Sequence, residues 1–285
     1  MTDDIQTDNA PDEGAPLHPE QKQYDDHYFK ILESVLMQCR NYKSRFGGGS
    51  GSGLTLKEFQ TLYENDPFYH WIGLDSPLMY AAHKAAGGIT SVYRQIGIAC
   101  QRIFNRMLHD HLGLSSEEAA WSYVIESRRL SLDGRIEIDK VRDAAAQRRV
   151  KQWICDAGRS AGLSEDTLQG ITGCVFEVRQ GYKSKDSKRQ NADIANASNA
   201  YVHKYIPAII LFSKQIDSDL AKRYKERHWI ILTGTTNGSS TESTYAFCRD
   251  VIGYDLANFC ERHSEDIKKL LKDLLETLIS PEEPV

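Results

Sequence analysis

The spacing of apolar residues divides the chain in two. Through the first half it is helical: Ile31, Val35, Leu36 and Cys39 recur at helical intervals within YFKILESVLMQCRNYKSRF (residues 28–46), and Val92, Ile96, Ala99, Ile103 and Met107 form one stripe within residues 87–113. Between them, GGGSGSG (residues 47–53) has the composition of a linker. The next block, LTLKEFQTLYENDPFYHWIG, reads as a helix capped by Thr55 and ending at Pro67, with the aromatic cluster Phe68, Tyr69, His70 and Trp71 placed in the core. Residues 115–152 read as a helix, a turn or β-wing at Asp133–Gly134, and a second helix. The second half changes period. VFEVRQ alternates as a strand, QNADIANASNAYVHKY is helical, YIPAIILFS is a short apolar strand, DSDLAKRYKERH is helical and WIILTG is a strand again, after which helix resumes from STYAFC onward. That order predicts an α/β (mixed α+β) fold: a helical N-terminal half, then a mixed central sheet flanked by helices. Three segments follow: an acidic, disordered tail over residues 1–26, a mainly helical region over 27–160 that includes a possible DNA-recognition part, and a core with C-terminal helices over 161–285.

Charge sharpens this division. The chain of 285 residues carries a net charge of −5, which argues at first against a nucleic-acid partner. Residues 1–26, however, hold eight acids against Lys22 alone, so the body that follows is slightly positive and can present a basic cleft. No apolar run approaches a membrane span and the first residues lack the pattern of a signal peptide, so a cytoplasmic location is expected. The six cysteines are widely spaced with no CxxC pair, which predicts reduced thiols that fill the core rather than a zinc site. HDH at residues 109–111 lacks a third ligand at helical spacing and is read as surface. Gly87, Gly88 and Thr90 read as a helix N-terminus, where free backbone N–H groups beside Arg94 suit a phosphate, with a solvated charged face on a core helix as the favoured alternative. Around Asp133–Gly134 the outline is loosely similar to small winged helical DNA readers, with Arg128, Arg129, Arg148 and Arg149 supplying charge.

The densest chemistry lies in CVFEVRQGYKSKDSKRQNADI, residues 174–194. On a strand of period two, Glu177 and Arg179 share one face and Phe176 and Val178 the other. Lys183, Lys185, Lys188 and Arg189 follow, and Asp193 falls in the first turns of the next helix. Carboxylates Glu177 and Asp193 around a basic turn suit metal-assisted phosphodiester cleavage: they hold Mg²⁺, the metal acidifies an attacking water, and a lysine orients that water or meets the developing charge. Lys185, Lys188, Arg189 and Arg94 are the candidate phosphate contacts. A solvated basic turn, with Glu177 simply paired to Arg179, is the alternative to cleavage.

EVRQGYKSKDSKRQNADIANASNAY, with the apolar strand after it and with QIDSDLAKRY and STYAFCRDVIGYDLANF, resembles type II restriction endonucleases of the PD-(D/E)xK superfamily. The resemblance covers residues 170–260 and implies a mixed sheet with its active carboxylates and lysine near one strand edge. It also implies Mg²⁺-dependent cleavage of double-stranded DNA, a homodimer, and a cognate DNA methyltransferase in the same restriction–modification system. The chain departs from the family's acid–any residue–lysine triplet, since Glu177-Val178-Arg179 ends in arginine. Either Arg179 fills that place or the lysine is Lys183 or Lys185; Lys183 with Asp193 is the preferred assignment. The family's remote first aspartate has three candidates, Asp133, Asp139 and Asp166. A non-catalytic DNA-binding regulator and a repair or RNA-processing nuclease of the same fold are the rival functions.

Overall fold

Strand β4 (Gly173–Arg179) is apolar on both faces for most of its length, and a strand of that composition belongs inside a sheet covered on both sides. In the computed structural model, which describes residues 18–42, 53–125, 128–182 and 187–279, β4 is an inner strand. It runs antiparallel to β3 (Gly134–Glu137) and parallel to β5 (Tyr205–Leu211), which runs parallel to β6 (Ile230–Leu232), giving the order β3-β4-β5-β6. A separate two-stranded sheet pairs β1 (Trp121–Ile125) with β2 (Arg128–Leu132). The expected mixed α/β architecture and helical N-terminal half are therefore present.

The period of two sorts the two covering layers. Cys174, Phe176 and Val178 face one apolar cluster with α4 (Pro77–Leu112) and α6 (Ala144–Ser160), where Phe176 meets Phe104, Trp153 and Phe247. Val175 faces the other cluster, with Ala197 and Ala200 of α8 (Ser187–Val202) and Leu220 and Tyr224 of α9 (Ser218–Lys225). By that alternation Glu177 and Arg179 point into the α8–α9 layer. Both parallel connections, β4-α8-β5 and β5-α9-β6, are single-helix crossovers.

Helix α4 corrects one expectation. It starts at Pro77 behind the cap of Ser76, so Gly87 and Gly88 lie in its interior and their N–H groups are not a free helix end. A Cβ on Gly87 would strike the Tyr42 hydroxyl, and these glycines let neighbouring elements approach the helix. Arg94 is an exposed residue in mid-helix, which removes the phosphate site proposed for it. Phe68, Trp71 and Leu78, on α3 (Pro67–Trp71) and the start of α4, are 60%, 79% and 80% exposed, so the aromatic cluster assigned to the core is largely on the surface. The linker lies mostly outside the described residues, and α2 (Leu56–Glu64) has the expected Thr55 cap, completed as a capping box by Glu58. Among the described residues no helix is long and apolar enough to cross a membrane.

The last eight residues of the expected tail are helical. Helix α1 runs from Pro19 to Leu36, so residues 19–26 belong to it. Asp25 is buried and accepts hydrogen bonds from Tyr254 (2.6 Å) and from both Nε and a terminal nitrogen of Arg262 (2.7 and 3.0 Å), tying α1 to α11 (Leu256–Arg262). Burial pushes this carboxyl up, but the hydrogen bonds from Arg262 and Tyr254 and the Arg262 charge outweigh it and hold it below the ordinary aspartate value. A depressed folded-state value adds stability above the unfolded pKa of about 3.9 and loses it as pH falls through the folded one. Asp25→Ala should therefore cost about 2–4 kcal/mol at neutral pH, below the full cost of breaking a buried pair because Arg262 keeps access to water. Removal of residues 1–26, harmless for a disordered tail, should destabilise the protein at least as much. Urea unfolding checks both, and an unchanged midpoint would refute the clamp. The HDH triplet is likewise not surface throughout: Tyr28 of α1 hydrogen-bonds Asp110 (3.1 Å) and His111 (3.0 Å), while His109 is exposed.

Candidate active site

Asp133 is the residue that the sequence left unplaced. Asp-Gly is a strong hairpin-turn signal. Here it marks the bend where the chain leaves β2 and enters β3 in the main sheet. Gly134 pairs with Phe176, and the Asp133 amide donates to the Phe176 carbonyl (2.8 Å), so Asp133 continues the register opposite Glu177. Residues opposite one another in an antiparallel pair lie about 4.5–5.5 Å apart at Cβ. The Asp133 carboxylate accepts from the Val178 amide (2.9 Å) and Gln101 Nε2 (2.5 Å), and Asn105 Nδ2 donates to its carbonyl (2.8 Å). Two residues of α4 and the backbone of β4 thus fix this aspartate. Gly134 lets α4 come close, since a Cβ there would press to 3.1 Å from both Asn105 and Phe104 and they would have to shift. Asp139, in the short 3₁₀ turn after β3, and Asp166, in α7 (Glu165–Gln169), do not share this placement.

Glu177 and Arg179 are buried under α8, each with a side chain about one-tenth exposed. One terminal guanidinium nitrogen of Arg179 lies 2.6 Å from Glu177 Oε1 and 3.4 Å from Asp193 Oδ2. The same Asp193 oxygen accepts from Tyr182 (3.1 Å) and Tyr224 (2.5 Å), and the Arg179 guanidinium sits 4.7 Å from the centre of the Tyr182 ring. Burial works against the charge on Arg179, but Glu177 and Asp193 more than compensate and hold the guanidinium protonated. Burial also pushes the Tyr182 and Tyr224 hydroxyls up, reinforced by Asp193, so both stay protonated as donors.

This geometry revises the expected metal pair. Glu177 and Asp193 do come together, but the positive charge between them is that of Arg179, and the Asp193 oxygen that faces it already takes three donors. Asp133 is the other carboxylate that the strand register sets opposite Glu177, with its own oxygens held by the Val178 amide and Gln101. Among the described residues no three His, Cys, Asp or Glu side chains are grouped to hold a metal ion. Mg²⁺ keeps several waters and takes one or two protein carboxylates together with substrate phosphates, so a site for it does not require three protein ligands. The site lies on an inner strand of the sheet, between β3 and β5.

The basic turn is only partly placed. Lys183 and Lys185 lie outside the described residues. Lys188 and Arg189 fall in the first turn of α8, and their side chains are outside the described set, as are those of Arg128 and Arg129. Arg148 and Arg149 are exposed on α6. The winged-helix outline does not hold: β1 and β2 form a hairpin of their own, and β3 completes the main sheet, so the division at residue 160 cuts through one core. No protein-family model, curated protein or solved structure matches the chain.

Proposed function

We propose that the protein is a Mg²⁺-dependent endonuclease that cleaves double-stranded DNA in the manner of a type II restriction enzyme. The carrying observation is the placement of Asp133 opposite Glu177, with Arg179 two residues further along β4. That placement, of residues 44 positions apart, supports reading Asp133 as the remote first aspartate of a PD-(D/E)xK-like motif. Asp133 and Glu177 would hold the ion. Bound there, a divalent cation acts as a Lewis acid on the scissile phosphate and acidifies the attacking water.

The chain's own residues divide the remaining work. Arg179 cannot serve as a base, because a guanidinium stays protonated. It orients Glu177 and neutralises Asp193, and Tyr182 and Tyr224 fix Asp193 in turn. Asp193 is thereby a positioning residue. The lysine that orients water is assigned to Lys183, with Lys185 as its alternate, because Lys carries the compact point charge that the step needs. Lys185, Lys188 and Arg189 supply phosphate contacts. A homodimer and a partner DNA methyltransferase belong to the same proposal.

Incubation of the purified protein with phage DNA tests it. Discrete fragments are expected in Mg²⁺, with none in excess chelator, and Ca²⁺ should support binding without cleavage because its looser coordination positions water poorly. A smear would indicate a nonspecific nuclease, cleavage of RNA alone a processing enzyme, and retarded but intact DNA a regulator. Full cleavage in chelator would refute the metal site.

A further inference from the structure

Asp133 lines one side of a cleft of about 490 Å³ whose other walls have no part in the proposed cleavage chemistry. Its size falls within the ~300–1,000 Å³ of sites that enclose a small organic ligand. One wall is α4, where Arg102, Arg106 and His109 recur at i, i+4 and i+7 and so share a face. The opposite wall is the β1–β2 hairpin with the short helix α5 (Ser116–Ala119) before it. Leu114, Trp121 and Leu132, all buried, make an apolar floor. Exposed Ser116, Ser122 and Ser131 add hydroxyls at the rim.

The two kinds of surface call for a ligand that is both flat and anionic. An apolar floor with an aromatic ring takes a planar heterocycle, and a guanidinium at the mouth takes a phosphate. Arg106 is partly spent, because Asp110 pairs with it at 2.8 Å. Arg102 is exposed and not ion-paired among the described residues, so it carries the anion contact. Asp133 also lines the cleft, which joins it to one member of the proposed metal pair.

We infer that this cleft binds one nucleotide unit, its base against Leu114, Trp121 and Leu132 and its phosphate on Arg102. The source is a nucleotide of the DNA strand that enters the Asp133–Glu177 site, turned out of the stack as enzymes do when they read or modify a base. The DNA source rests on the nuclease reading; the chemistry of the cleft does not.

The test uses the full chain in Ca²⁺. Affinity for a fluorescent 30-base-pair duplex is measured by anisotropy over a salt series, and a mixture of deoxynucleoside monophosphates is titrated separately by calorimetry. Arg102→Ala is expected to weaken duplex binding about tenfold and to reduce the salt slope by about one unit. Ser131→Trp, which fills the cleft from an exposed position, should weaken binding by a similar factor with the slope unchanged. Circular dichroism melting of both variants shows that they are folded. Duplex binding like wild type in both variants overturns the inference, even if the wild type cuts DNA. Mononucleotide binding that both substitutions abolish, with duplex affinity intact, overturns the DNA strand as the source and assigns the cleft to a free nucleotide. A wild type that cuts nothing in Mg²⁺, yet loses duplex affinity in both variants, upholds the cleft and refutes the nuclease reading.

Discussion

Asp133→Asn and Glu177→Ala are each expected to lower the single-turnover cleavage rate by more than about 10²-fold while duplex affinity in Ca²⁺ stays within a few fold. Loss of a side chain that only supports a metal ligand typically costs 10–100-fold in metal affinity or activity, so removal of a ligand itself should exceed that range. Asparagine at 133 keeps the size of the side chain and one acceptor for the Val178 amide or Gln101, so the fold should lose only about 1 kcal/mol. Glu177→Ala leaves Arg179 with Asp193 as its carboxylate, which preserves half of the clamp. The Mg²⁺ concentration for half-maximal rate should rise in both variants, a readout that a merely structural role would not move. Wild-type rates in both would place the nuclease centre elsewhere and leave Asp133 as a bend residue held by α4.

The main-sheet strands after β3, and the crossover helices between them, were legible because their signals are local. The apolar residues 174–176 and 178, with the apolar run 206–211, can be satisfied only inside a covered sheet, and the helical stripe between them has nowhere to go but across it. Asp133 was not legible for the opposite reason. Its meaning comes from a strand pairing across forty residues, while its immediate neighbour Gly134 gives the signal of a local turn. The one hint was the alternation of Leu130 and Leu132 just before it, which marks a strand arriving at that aspartate. Tyr182 and Tyr224 carried no sequence signal at all, since a buried tyrosine whose hydroxyl serves a carboxylate reads like any core aromatic. The exposure of Phe68 and Trp71 shows the converse: aromatic composition alone does not decide burial when the segment packs on the outer end of a long helix.

Arg179 and Lys183 separate by the kind of damage their loss should cause. Arg179→Ala removes the guanidinium that reaches both Glu177 and Asp193, and breaking a buried ion pair typically costs about 3–5 kcal/mol. The variant should therefore unfold at much lower urea, and its cleavage should fall with its folded fraction. Arg179→Lys keeps a positive charge in that place but loses the guanidinium that sits over the Tyr182 ring and reaches both carboxylates through one nitrogen, so a smaller loss of about 1–2 kcal/mol and measurable cleavage are expected. Lys183→Ala should do the reverse: a urea midpoint close to wild type, duplex affinity within a few fold, and a single-turnover rate reduced by about 10²-fold or more, because a group acting in the transition state adds little to ground-state affinity. Urea titration and single-turnover cleavage at a temperature where every variant is folded distinguish the two roles. If folded Arg179→Ala is inactive while Lys183→Ala cuts at the wild-type rate, the strand triplet Glu177-Val178-Arg179 is itself the catalytic motif and the assignment to Lys183 fails. A similar rate loss in Lys185→Ala with Lys183→Ala unaffected would move the role two residues along the same turn.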